Sequence, residues 1–118
     1  MSSTHEAARK LLWQILTEYY TKMNAECPNR ERLKTLLRKL SDDAQRFDLL
    51  SSITDSDGYT VLSEGAWRGH TELCVTLLLS LPSADRLKLI LVNKCTALHR
   101  AAYRGYTETV SGILNCLT

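Results

Sequence analysis

The chain repeats itself, and that constrains its fold more than any other feature. TVLSEGAWRGHTEL, starting at Thr60, aligns without a gap on TALHRAAYRGYTET, starting at Thr96, at a shift of 36 residues. Thr60/Thr96, Leu62/Leu98, Ala66/Ala102, Arg68/Arg104, Gly69/Gly105, Thr71/Thr107 and Glu72/Glu108 are identical pairs. Leu77/Ile113, Leu78/Leu114 and Leu81/Leu117 continue the match. A unit of this length cannot bury its apolar face alone. Stacked on a neighbour, it shares one continuous core.

Each copy reads as two short helices. Thr60 and Thr96 are short polar residues suited to capping a helix start. Leu62 and Ala66 then fall on one helical face, and Ala97, Ala101 and Ala102 keep the second copy thin enough for close packing. Gly69 and Gly105 end the first helix, because glycine enters the left-handed region without steric cost. Thr71 and Thr107 open the second helix, with Glu72 and Glu108 at its positive end. Leu73, Leu77 and Leu78 are expected inward, matched by Val110, Ile113 and Leu114.

TALHRAAYRGYTE resembles the ankyrin signature T-P-L-H-x-A-A-x-x-G-H-x-E, and DSDGYTVL at Asp55 to Leu62 resembles its hairpin lead-in. The resemblance covers Asp55 to Leu117. It implies an all-α, ankyrin-like helical repeat solenoid with short hairpin loops. The chain departs from the pattern in several places. Val61 and Ala97 replace the family proline. Ser63 replaces the histidine whose ring ties neighbouring hairpins, a role left to His99; His70 matches the histidine after the glycine. Gly65 in place of alanine should cost about 1 kcal/mol of helix propensity. Asn93-Lys94-Cys95 stands where the second copy should carry D-x-x-G, so its hairpin should be shortened or irregular.

The period is longer than the usual ~33 residues, and the surplus lies in SLPSADRLKLILVNK. Ser83 reads as the start of an extra short helix with Leu87, Ile90 and Leu91 inward; the alternation of Leu87, Leu89 and Leu91 also permits a strand. Ser41 to Ser52 has the same design, with Ser41 at its start and Phe47 and Leu50 inward, which favours one extra helix between repeats. Upstream, His5 to Asn24 is amphipathic through Ala8, Leu11, Leu12, Ile15, Leu16 and Tyr19, and Pro28 and Asn29 break it. A second helix is expected from Asn29 to Leu40 with Leu33, Leu36, Leu37 and Leu40 inward. The domain is therefore read as one unit, 1–118. Residues 1–54 form a degenerate capping repeat, 55–92 a repeat, and 93–118 a last, partial repeat.

At the carboxy-terminal end Ser111, Asn115 and Cys116 are left for the outer face, which is only partly polar. Two readings stay open: a fragment of a longer array, or a face used for self-association. Fifteen basic against 13 acidic residues give a net charge of +2, too little to argue for nucleic acid or an anionic membrane. No apolar run approaches the ~18 residues of a membrane span, and the amino terminus lacks a signal-peptide pattern. Cys27, Cys74, Cys95 and Cys116 form no C-x-x-C pair, so reduced thiols and an intracellular, cytoplasmic location are expected; a secreted bacterial effector is left open.

The ankyrin resemblance implies a concave surface made of hairpin tips and first helices. By position its contact residues are Ser56, Asp57, Tyr59, Trp67, Arg68, Cys95, Tyr103 and Arg104. Aromatic residues and arginine are enriched at binding hot spots. Stacked aromatics would form one row and arginines another, suited to an acidic partner segment with an apolar anchor. Glu64 and Arg100 correspond one repeat apart, and an inter-repeat ion pair is expected there. The expected function is non-catalytic protein binding, a scaffold with no cofactor and no metal, since no P-loop, G-x-S-x-G or H-E-x-x-H pattern occurs. Alternatives are a self-associating module built on the uncapped last repeat, and a weak nucleic-acid binder using Arg30, Arg32, Lys34, Arg38 and Lys39.

Overall fold

A computed structural model describes residues 6, 7, 9–14, 30–40 and 42–117, and the described residues are all-helical apart from loops and one isolated bridge. Residues 6, 7 and 9–14 are helical, with Leu12 fully buried. The helices that follow are α1 (Arg30–Lys39), α2 (Asp43–Ser52), α3 (Val61–Arg68), α4 (Thr71–Leu79), α5 (Ser83–Ile90), α6 (Ala97–Tyr103) and α7 (Thr107–Asn115). The expectations for Ala8, Ile15, Leu16, Tyr19 and the break at Pro28 and Asn29, for Ser41 as a helix start, and for the side chain of Leu33 lie outside the described residues.

The repeated sequence makes repeated geometry. Thr60 Oγ1 accepts from Ser63 N at 3.2 Å, and Thr96 Oγ1 from His99 N at 3.2 Å. Each hydroxyl satisfies one of the orphan donors of its helix start. Gly69 and Gly105 both take φ 76°, and the next amides, His70 N and Tyr106 N, return to Gly65 O and Ala101 O. First helix packs on first helix, α3 on α6, and second on second, α4 on α7. The extra helices do the same: α2 packs on α5, and α5 also on α4. Leu62, Ala66, Leu73, Leu77, Leu78, Ala97, Ala101 and Ile113 are buried in this stack, with Leu49, Leu50, Leu89 and Ile90 supplied by the extra helices.

Two glycines set how closely the helices approach. A Cβ on Gly65 would meet Cys74 Sγ at 3.3 Å and Leu73 Cδ2 at 3.4 Å. One on Gly112 would meet Thr71 Cγ2 at 3.0 Å and Val75 Cγ2 at 3.1 Å. The helix propensity lost at Gly65 is therefore exchanged for tight packing of α3 on α4. Beside Gly112, the Thr71 and Thr109 hydroxyls bond across the two copies at 2.7 Å.

The segment from Ser83 is a helix, not a strand, but its inner face differs from the expected one. Leu89 and Ile90 are buried, whereas Leu87 and Leu91 are 48% and 58% exposed. Arg86 explains the rotation. Its Nε donates to Leu78 O at 3.0 Å and Leu81 O at 2.9 Å, and its Nη1 donates to Cys116 O at 3.0 Å. The arginine stem thus occupies the inner face, three and four residues before Leu89 and Ile90. In α2 the equivalent Arg46 donates to Leu40 O and pairs with Asp43, above buried Leu49 and Leu50, with Phe47 partly buried. Asp42 caps that helix, accepting from Ala44 N.

The last helix is also turned. Thr109, Ile113 and Cys116 are its buried stripe, Val110 and Leu117 are half-buried, and Leu114 is 46% exposed. Leu114 is thus outward, and Cys116 inward, contrary to expectation. The Thr71–Thr109 bond and the Gly112 contact hold the other side of α7 against α4.

Candidate interaction surface

The first loop is a compact turn. Asp55 Oδ1 accepts from Asp57 N and Tyr59 N, Gly58 takes φ 85°, and Thr54 bridges Thr60. The second loop, before α6, shows no such bridge among the described residues. Asn93 works there instead. Its Oδ1 accepts from Thr60 N at 3.3 Å and Ser63 Oγ at 3.0 Å, and its Nδ2 donates to Gly58 O at 2.7 Å. A serine is too short to span the two loops, and the asparagine supplies the missing reach. His99, expected to be structural, is exposed. His70 is buried, and its imidazole is pushed down to about 4 by burial, with the Arg68 charge adding to the effect.

On the outer side of α3 and α6, arginines and aromatics interleave. The guanidinium carbon of Arg100 lies 3.9 Å from the Tyr59 ring centroid and 4.9 Å from that of Trp67. That of Arg104 lies 4.7 Å from Trp67 and 5.6 Å from Tyr106. Trp67 and Tyr103 stack at 5.9 Å with 15° between their planes. The aromatic row therefore exists, but the arginines are layered between rings rather than forming a separate row. The repeat shift places Arg100 over the Trp67 turn, where the negative ring faces attract it.

Arg100 Nη1 meets Glu64 Oε1 at 3.1 Å, and Glu64 Oε2 lies 3.8 Å from Arg68 Nε. The pair expected from the sequence is present and is sheltered, with side chains only 10% and 13% exposed. Removing one partner would therefore strand the other charge away from water, which is the costly event for a sheltered pair. Glu64 balances Arg100 inside the cluster. Arg104 and Tyr103 face solvent, and Tyr103 is 78% exposed. Arg104 also donates to Tyr106 Oη at 3.2 Å.

Of the residues expected at a contact surface, Tyr59, Trp67, Tyr103 and Arg104 join this ladder, and Arg68 joins it through Glu64. Ser56 and Asp57 are exposed on the turn, and Cys95 is half-buried in the second loop. Sequence reasoning missed Tyr106 and Asn93. The Tyr106 ring lies where it would touch any Cβ on Gly69 at 3.1 Å, a contact the sequence does not mark because Gly69 is already required by its left-handed φ of 76°. The Cys74 thiol is fully buried and pushed up to about 12, mainly by that burial, and Cys116 is raised for the same reason.

No protein-family model, curated protein or solved structure matched the chain.

Proposed function

We propose that this chain is an ankyrin-like helical-repeat protein that binds a protein partner, without catalysis, on the surface where Tyr103 and Arg104 stand over Trp67. The observation that carries this reading is the exposed Tyr103 ring stacked on Trp67 beside the outward Arg104. A rigid aromatic platform next to a cation suits an apolar anchor flanked by a carboxylate. The ladder also holds these groups in place before binding, which lowers the entropy of ordering them. The 36-residue repeat, its threonine caps and left-handed glycines support the ankyrin-like part of the reading. The thiols of Cys74, Cys95 and Cys116 are free, in keeping with an intracellular setting.

The test is capture from cell lysate by the native chain and by a Tyr103→Ala/Arg104→Ala variant with unchanged circular dichroism. A protein held by the native chain and lost by the variant supports the reading. Identical capture by both removes it.

A further inference from the structure

Two seams flank α4, one closed and one open. Towards α7, Gly112 closes the first: a Cβ there would meet Thr71 Cγ2 at 3.0 Å and Val75 Cγ2 at 3.1 Å. Thr76 holds the matching position one copy earlier. Between α1 and α4 a groove of about 430 Å³ stays open, and Thr76 lines it. Leu37, Val75 and Leu79 give this groove its apolar part. Leu73, Cys74, Leu77 and Leu78 of α4 are buried in the core, whereas Leu79 is 55% exposed. Lys34 and Arg38 stand on the α1 side, one helical turn apart. No acidic side chain lines the groove.

We propose that this groove is a second docking site, taking an acidic segment of a partner protein with one apolar side chain seated on Leu79. Charge and apolar surface select this occupant together. Two cations with no carboxylate in the lining attract carboxylates. Lys34 and Arg38 are about 6 Å apart along the helix axis, a spacing that acidic residues one turn apart on a helical segment match. The exposed leucine beside them offers such a segment its anchor. A nucleic-acid backbone would meet the cations and leave Leu79 in water, and a flat lipid surface would not fill the groove. A second copy docked groove to groove would bring four cations together. A following repeat would stack on α6 and α7 and leave this seam as it is. The site goes beyond the Tyr103 and Arg104 platform and shares no residue with it.

The experiment is selection of peptides from a random-sequence display library on the full chain. Affinities are then measured by fluorescence anisotropy for the native chain, Leu79→Asp, Arg38→Glu and Tyr103→Ala/Arg104→Ala, each with native circular dichroism. The expected result is a class of peptides with an apolar residue between acidic ones. These should bind Leu79→Asp and Arg38→Glu about tenfold or more weakly, and Tyr103→Ala/Arg104→Ala as they bind the native chain. Selection repeated on Arg38→Glu should enrich basic flanks instead, which a merely structural role for Arg38 would not produce. Groove-dependent peptides without acidic flanks overturn the proposal. So does polyuridylate, or a phosphatidylserine vesicle, held by the native chain and released by Arg38→Glu. If every selected peptide depends on Tyr103 and Arg104 instead, the groove proposal falls and the partner-binding reading stands.

Discussion

Arg100 lies between the rings of Tyr59 and Trp67 with its charge on Glu64. Removing it leaves the Glu64 carboxylate in a sheltered place, with the longer contact to Arg68 remaining among the described residues. Arg100→Ala should therefore lower stability by about 3 kcal/mol in urea unfolding. A Glu64→Gln/Arg100→Met double variant should lose less than the single one, because no charge is stranded. His70 carries a pH dependence. Its imidazole is held down to about 4 against an unfolded value near 6.5, so the folded state resists its protonation. Its contribution is complete above pH ~6.5 and is lost as pH falls toward ~4, by up to about 3 kcal/mol. His70→Asn should flatten that part of a stability-against-pH curve. The Glu64–Arg100 pair and the Trp67–Tyr103 stack were legible in the sequence, since each links equivalent or near-equivalent repeat positions. The interleaving was not, because a spacing of residues does not say which way a long guanidinium swings. Asn93 was hidden for another reason: its loop departs from the D-x-x-G lead-in of the first copy, so no matching residue marked it.

At the scale of helices, the two arginines of the extra segments explain how those segments attach. Arg86 ties carbonyls at the ends of α4 and α7 to α5, and Arg46 does the same for the carbonyl of Leu40. Leu81 O and Cys116 O lie just past their helix ends, where carbonyls run out of intrahelical amide partners, whereas Leu78 O also accepts from Leu81 N at 3.1 Å. Arg86→Ala should cost about 2–3 kcal/mol and speed hydrogen exchange in α5 and the last turn of α7 before it affects α3. Arg86→Lys should not restore it, since an ammonium lacks the planar fork that reaches three carbonyls. The presence of both extra helices was legible from their shared style. So was the inner side of α2, with Leu50 buried and Phe47 packed on the core, but the orientation of α5 was not. A pattern reading sends arginine outward and leucine inward, whereas here the arginine stem takes the inner face and Leu87 and Leu91 are displaced to solvent.

Between Asp43 and Asn115, each of three helix types packs against its own kind. The pairing of α3 with α6 and of α4 with α7 follows directly from the 36-residue shift, so it was legible in the sequence. The rotation of α7 was not, because it depends on Gly112 letting Thr71 and Val75 come close. The ring-and-guanidinium ladder spans the joint between the two copies, and this gives the joint an optical signature. Trp67 is one of two tryptophans, the other being Trp13. In a Trp13→Phe variant all indole emission would come from a ring stacked on a phenol and flanked by two cations. Sliding α6 away from α3 would strip the indole of these neighbours while leaving every helix wound. Emission from Trp67 should then shift to the red at lower urea than the loss of helical ellipticity, turning the seam between repeats into a built-in strain gauge.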